Sequence, residues 1–292
     1  MLLGVLLLVA ACARPTVQPL VSMPTPSPAS TSSSAPPVAA GPVLTRLADR
    51  LSDAPADTTS GAYQYVERRT WYRDIIGPPG PAGWPERVRF DQLWRTDDTR
   101  SGRQLSVLVA ADSCTPHDAD SSWTRHASDQ FERTPPRTPA DLRAHLLIGA
   151  GPEETKPQHI VGGIAALYEH LALTRPVRAA ALRLLVQQPG LLVQTGVTDR
   201  IHRPGMDVIL PYTDGSGVPR RDILTIDAST GVLLAAYSTI TGPIPPLDPR
   251  MGPDGEAVML AEAASYRLYA DSRRTPTTRV PAAGCQHPAA RQ

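Results

Sequence analysis

Lysine is almost missing from this chain. Lys156 is the only one, so nearly all of the positive charge is arginine. The scarcity excludes whole classes of chemistry. A phosphate-cradling loop of the Gly-Lys-Ser/Thr kind needs a hydroxyl residue after its lysine, and Pro157 follows Lys156. A Ser-x-x-Lys nucleophile pair needs serine at position 153, which is Glu153. A Schiff-base lysine has only Lys156 to draw on, in the polar stretch 151–157. Cysteine is nearly as rare, at three residues, and no Cys-x-x-Cys occurs, which argues against a zinc ribbon or a thioredoxin-like centre. The seven histidines make no His-Glu-x-x-His or other spaced metal pair. A Gly-x-Ser-x-Gly elbow is absent too. The formal net charge is +1, so no strong field favours nucleic acid or an anionic surface.

Long apolar runs are also lacking. The one at the start, residues 2–10, is too short to cross a bilayer and has the length of a signal-peptide core. It ends in Val9-Ala10-Ala11-Cys12. Small residues ahead of a cysteine, just past an apolar core, resemble a bacterial lipobox, which implies a lipoprotein signal peptide over residues 1–12 ending at a diacylglycerol-modified Cys12. No Arg or Lys precedes the run, where leaders are ordinarily basic. That points to a start further upstream or to an atypical leader, and either keeps the rest of the chain outside the cytoplasm. Residues 13–42 are rich in Pro, Ser, Thr and Ala and cannot bury enough apolar surface to fold. They read as a disordered tether lifting a single domain, residues 43–292, off the membrane. In an oxidising compartment the two remaining cysteines, Cys114 and Cys285, are expected to form one disulfide, with two free thiols as the alternative.

Within the domain, Val43, Leu47 and Leu51 recur at helical spacing, which predicts a short helix over 42–51. Alternating, aromatic-rich residues predict a strand over 63–72, and two more follow at 88–96 and 103–110. Residues 114–136 have weak periodicity and read as irregular. The character then changes. Thr138 followed by Pro139 starts a helix, with Leu142, Leu146 and Leu147 as its buried face. Residues 157–173 give a second, with Ile160, Ile164, Leu167 and Leu171 on one side. Thr174-Arg-Pro176 opens a third, whose Val177, Ala180, Ala181, Leu184 and Leu185 form a stripe ending near Gly190. Strands return at 191–198, 206–212, 221–227, 232–240 and 258–269. The order predicts an α+β fold: a curved antiparallel sheet, half-barrel-like, with about three central helices packed on one face.

Segment 173–239 resembles a family of actinobacterial envelope proteins. The pieces that carry the resemblance are Thr174-Arg-Pro-Val-Arg-Ala-Ala-Ala-Leu182, Pro189-Gly190, Val197-Thr-Asp199, Arg203-Pro-Gly205 and Ile226-Asp-Ala-Ser-Thr-Gly-Val-Leu-Leu234. The resemblance implies a membrane-anchored extracytoplasmic protein, and the arginine bias fits a high-GC genome. Some members of the family resemble partners of extracytoplasmic-function sigma factors. Members usually carry a cytoplasmic N-terminal stretch and a full membrane helix, and this sequence shows neither. At fold level, a curved sheet holding helices is similar to the half-open barrel of lipoprotein carriers, which implies an apolar cleft suited to an acyl chain.

Aromatics make up 5% of the chain, so their clustering early in the domain stands out. Tyr63, Tyr65, Trp71, Tyr72, Trp84 and Trp94 are read either as sheet core or as a ligand or partner surface. His117-Asp-Ala-Asp120 could hold a cation through its oxygens but reads first as an ordinary polar loop, and Asp199 and Asp227 sit where aspartate bonds its own turn. The resulting expectation is a non-catalytic lipoprotein on the extracytoplasmic side of the cell membrane, a sensor or binding module acting by protein–protein contact. The alternative is a carrier or sensor of a lipid-like ligand. No cofactor, metal or nucleic acid is expected. If Cys12 carries the lipid, Cys12→Ala releases the protein from membranes on fractionation; undiminished membrane retention would rule that anchor out.

Overall fold

The computed structural model describes residues 35–55, 60–73, 86–97, 101–109, 119–123, 134–148, 151, 156–215, 217–242 and 265–278. Their strands are β1 (Val38–Ala39), β2 (Tyr63–Arg73), β3 (Glu86–Arg95), β4 (Gly102–Val109), β5 (Ala119–Trp123), β6 (Leu192–Thr198), β7 (Pro204–Thr213), β8 (Pro219–Ile226), β9 (Leu233–Ile240) and β10 (Tyr266–Thr275). The helices are α1 (Ala40–Asp53), α2 (Pro139–Leu146), α3 (Pro157–His170) and α4 (Arg175–Val186). The fold is α+β, with one open antiparallel sheet in the order β1-β6-β7-β8-β9-β10-β2-β3-β4-β5.

That order is two meanders joined by the last strand. β6 to β9 pair in sequence, β2 to β5 pair in sequence, and β10 lies between β9 and β2. The β9–β10 ladder is short. It covers Tyr237↔Tyr266, Ala236↔Arg267 and Ala235↔Leu268, while β10 pairs with β2 along its whole length, past a bulge at Ala270. Where the short ladder ends, backbone carbonyls lose their strand partners and must find others. Arg203 supplies them. Its Nη2 donates to the Leu234 carbonyl at 3.1 Å and the Tyr269 carbonyl at 2.9 Å, and its Nη1 to the Ala270 carbonyl at 3.3 Å. Its Nε donates to Asp199 Oδ2 at 2.6 Å. The other oxygen, Oδ1, accepts the backbone N–H groups of Ile201 and Arg203, each at 2.9 Å. Asp199 thus shapes the β6–β7 turn and holds the guanidinium that fastens this hairpin to β9 and β10.

The helices cover the face carried by Val193, Met206, Val208, Leu210, Leu224, Ile226, Leu233 and Ala236. α4 lies at the centre of this layer. The expected stripe of Val177, Ala180, Ala181, Leu184 and Leu185 is buried, but so are Ala179 and Leu182. A one-sided stripe underestimates burial because α1 packs on α4 from the far side, through Leu44, Leu47, Ala48 and Leu51. Gly231, in the β8–β9 turn, lies at φ +67°; a Cβ there would stand 2.6 Å from Leu51 Cδ1. Its carbonyl accepts from the buried Tyr168 hydroxyl at 3.0 Å.

Several expectations shift. The folded part begins ahead of residue 43: β1 pairs with β6, and Ala40 is buried. The four helices among the described residues are α1, which begins at Ala40 where a short helix over 42–51 was expected, and three that follow it. α2 starts as anticipated, with the Asp141 N–H donating to Thr138 Oγ1 at 3.2 Å. The region 114–136 contains β5, which pairs with β4 at the sheet edge. Its sequence, Ala-Asp-Ser-Ser-Trp, shows no apolar alternation, so only the neighbouring strand supports it. The last strand runs from 266 to 275, later than expected, because the polar half Asp271–Thr275 is held by β2 instead of by apolar periodicity; residues 243–264 lie outside the described set. Arg203→Gln leaves the buried Asp199 carboxylate without its counter-charge and three carbonyls without donors. We expect a loss of about 3 kcal/mol of unfolding free energy in urea titration, and an unchanged midpoint would refute the role given to this side chain.

Candidate functional site

The six aromatics singled out from the sequence do not form one cluster. Side chains alternate along β2, so Tyr63, Tyr65 and Trp71 share one face and Tyr72 takes the other. Tyr65 and Trp94 are cross-strand partners, both buried, with ring centroids 5.1 Å apart. They are core. Burial pushes the Tyr65 phenol well above its usual range, and the adjacent Glu67, which accepts its proton in a 2.8 Å hydrogen bond, pushes it further. Trp84, Cys12, Cys114, Cys285, His117 and Asp120's side chain lie outside the described residues.

Trp71 joins aromatics that sequence reading did not group with it. Strand pairing puts Tyr266 beside Trp71 on one side and beside Tyr237 on the other. The Trp71 and Tyr266 centroids are 5.8 Å apart, edge to face, and Tyr237 and Tyr266 are 5.1 Å apart. The Arg200 guanidinium lies over both Trp71, at 5.1 Å, and Tyr266, at 4.7 Å. It also reaches Glu86 at 3.3 Å. The three rings are half-buried, Arg200 is exposed, and its neighbour Ile201 is 37% exposed. Burial raises the Tyr266 phenol to about 12, so it stays a neutral hydrogen-bonding group in any physiological medium. Only the ladder order could have revealed this patch, because Tyr237 and Tyr266 come from strands far from β2 in sequence.

The helix-covered face carries a second feature. α3 is clamped to the sheet by ions at its C-terminal end. Glu169 accepts from Arg68 at 2.7 Å and from Arg267 at 3.0 Å. Arg68 also pairs with Asp91 at 2.8 Å, and Asp91 accepts from Arg89 at 3.0 Å and from the Ser106 hydroxyl at 2.7 Å. Burial pushes the Asp91 carboxyl up, but Arg68, the Ser106 hydrogen bond and Arg89 together outweigh it and hold the group below the usual carboxylate range.

Beside α3, over β8, β9 and the start of β10, lies a cleft of about 310 Å³. Val161, Gly162 and Ala165 form the helical wall, and Arg220, Asp222, Ser238 and Arg267 supply the polar groups. Asp222 Oδ1 accepts from the Ser238 hydroxyl and, at 3.3 Å, from the Tyr212 hydroxyl. Burial raises its carboxyl; the two hydroxyls and Arg220 offset that only in part. Asp207, on the opposite face, is raised by burial as well and is held by Thr225 and Tyr237. Deeper between helices and sheet the packing is close: the space among Ile164, Tyr168, Leu182, Leu224 and Ile226 is about 10 Å³.

Asp199 and Asp227 act in turns, as anticipated. Asp227 Oδ1 accepts the backbone N–H groups of Ser229 at 2.7 Å and Thr230 at 2.9 Å. His159 and His202 are exposed, His170 is half-buried at the end of α3, and His145 is buried in α2. Among the described residues no group of three or more His, Cys, Asp or Glu is placed to hold a metal, and no helix is long and apolar enough to cross a membrane. Comparison with models of known families, with curated proteins and with solved structures finds no match.

The Asp91 network has a pH signature. A carboxyl held below its unfolded value stabilises the fold above that value, about 4, and the contribution disappears as pH falls through the lower, folded value. Asp91→Asn should therefore lower stability at neutral pH by about 3 kcal/mol, and the difference from wild type should shrink on acidification below about pH 4. Thermal unfolding across pH 2 to 7 (about that range) checks this; a pH-independent difference would assign the loss to packing.

Proposed function

We propose that this chain is a non-catalytic binding module of the cell envelope. In this reading it is a lipoprotein of actinobacterial type, held on the extracytoplasmic side of the cell membrane by a lipid on Cys12, with the Pro- and Ser-rich stretch that follows as its tether. Cys114 and Cys285 close one disulfide. The module works by contact with another envelope protein, in keeping with the family resemblance of segment 173–239, and it uses neither a cofactor nor nucleic acid.

The observation that carries the reading is the patch of Trp71, Tyr237, Tyr266 and Arg200. Trp, Tyr and Arg are the residue types that dominate binding hot spots, because rigid rings lose little entropy and a stacked guanidinium keeps free donors at its edge. Arg200 is held in place by two rings while remaining 39% exposed along its side chain, so its donors are presented with little further ordering. Exposed Ile201 extends the patch.

The cleft beside α3 has the volume for a ligand but is lined by the charged Arg220, Asp222 and Arg267, and the space deeper beneath the helices is only about 10 Å³, which together support this reading over a lipid-like ligand. Bulges in the β6–β7, β8–β9 and β10–β2 ladders favour a strongly bent sheet, and a half-barrel curled round the three central helices belongs to the same proposal.

A photo-crosslinking residue at position 201 of the full chain, in native membranes, should give one discrete adduct. That adduct should be lost with Trp71→Ala or Arg200→Ala, and position 148, exposed just beyond the end of α2, should give none. Equal labelling from both positions would sink the proposal. A mass added to the purified protein and removed by organic extraction would favour the carrier reading instead.

A further inference from the structure

Two guanidiniums and one carboxylate line the cleft beside α3: Arg220, Arg267 and Asp222. Arg220, on β8, is buried, and its Nε donates to Asp214 Oδ2 at 2.6 Å. That bond fixes the plane of the guanidinium and leaves its outer edge. Nη1 and Nη2 donate to none of the described residues, yet neither is sealed from solvent. The opening they meet is the cleft that Arg220 lines. Folding alone does not reward a buried arginine with two unpaired donors, because each gives up water without gaining a protein acceptor.

Arg267, on β10, brings charge from elsewhere. It ends an ionic row that alternates in sign: Arg267, Glu169, Arg68, Asp91, Arg89. Glu169 is shared by Arg267 and Arg68, and Asp91 by Arg68 and Arg89. Three guanidiniums thus divide two carboxylates, and the row carries one positive charge over. Its contact with Glu169 runs through Nη1, at 3.0 Å, and the side chain is 44% exposed. The cleft end of the row is therefore an arginine with half a counter-charge and open donors.

Asp222 stands between the two arginines in the ladder. It pairs with Ser238, while Arg220 pairs with Ile240 and Arg267 with Ala236 on the same strand, β9. Its Oδ1 accepts from the Ser238 and Tyr212 hydroxyls, and burial draws the carboxyl toward its neutral form. An entering anion meets this group at close quarters, so a doubly charged one is penalised most. A singly charged, planar group loses least, and it matches the edge of a guanidinium with two parallel N–H···O bonds.

We infer that the cleft beside α3 binds a carboxylate, held on the open edge of Arg220 with Arg267 as the second donor. The same chemistry is carried by a small carboxylic acid and by a glutamate or aspartate side chain of a partner protein. A cleft of about 310 Å³ admits either with its short stem. The site is separate from the aromatic patch, which lies on the other face of the sheet.

Calorimetric titration of the full chain in detergent tests this with propionate, with propionamide as its uncharged counterpart, and with Nα-acetyl-glutamate amide. Propionate should bind and propionamide should not. Arg220→Lys keeps a charge for Asp214 and removes the planar edge, and should weaken propionate by about tenfold or more, the size of one charge-assisted hydrogen bond. Arg267→Gln should weaken it as well by removing the surplus charge; this side chain is half-exposed, so the fold tolerates the change. Asp222→Asn takes away the one like charge of the cleft and should tighten binding. Binding of the glutamate amide as well identifies a protein side chain as the source; binding of propionate alone identifies a small acid. Propionamide binding as tightly as propionate, unaltered affinity in Arg267→Gln, weaker binding in Asp222→Asn, or no heat from either carboxylate at millimolar concentration would each overturn the inference. None of these outcomes depends on the aromatic patch.

Discussion

A single guanidinium holds the two halves of this sheet in register. β10 joins a meander of four strands to another of four, yet its ladder with β9 is three residue pairs long. Backbone carbonyls stranded where that ladder stops would each cost free energy if buried without a donor. Arg203 meets three of them with one planar fork, and buried Asp199 fixes the fork by both charge and turn geometry. Arginine suits this role better than lysine would. It spreads five donors in a plane and keeps its charge at any relevant pH, whereas a lysine ammonium offers one compact centre.

Once the sheet is joined, its two faces diverge. Over β6 to β9 one face is covered by the helices, with α4 at the centre of their layer, and packs as an apolar core except at the cleft beside α3. Further along the same face, toward β2 and β3, the contacts are ionic: Arg68, Asp91, Arg89 and Glu169. α3 bridges the two regimes. Its apolar side, Ile160, Ile164 and Leu167, belongs to the core, while Glu169 reaches the ions. The opposite face has half-buried rings and a stacked arginine. The protein therefore offers one shaped recess and one aromatic surface on different sides of a common sheet.

Much of the local structure was legible beforehand, and the reasons are particular. Thr138 before Pro139, and the apolar spacing of α3 and α4, are signals written within a dozen residues. Asp227 and Gly231 mark a turn that needs an acceptor and a positive φ, and the hairpin forms there. β5 was not legible, because an edge strand of Ala-Asp-Ser-Ser-Trp is defined by what it pairs with. Nor was the late start of β10, whose second half is polar. The six early aromatics misled for a related reason: alternation sends Tyr72 to the far face, and Tyr65 and Trp94 sink into the core.

The sequence by itself determined the helices, the hairpins and their turns, the α+β class and the scarcity of lysine and cysteine chemistry. All of these rest on interactions between residues close along the chain. Tertiary structure alone decided which strands became neighbours, and with that both candidate sites. Trp71 meets Tyr266 and Tyr237 only because β10 inserts between β9 and β2. Asp222 and Gly162 line one cleft only because α3 packs on β8 and β9, strands that lie far from it in the chain. Long-range pairing depends on the summed fit of two whole surfaces, and no window of one sequence contains both.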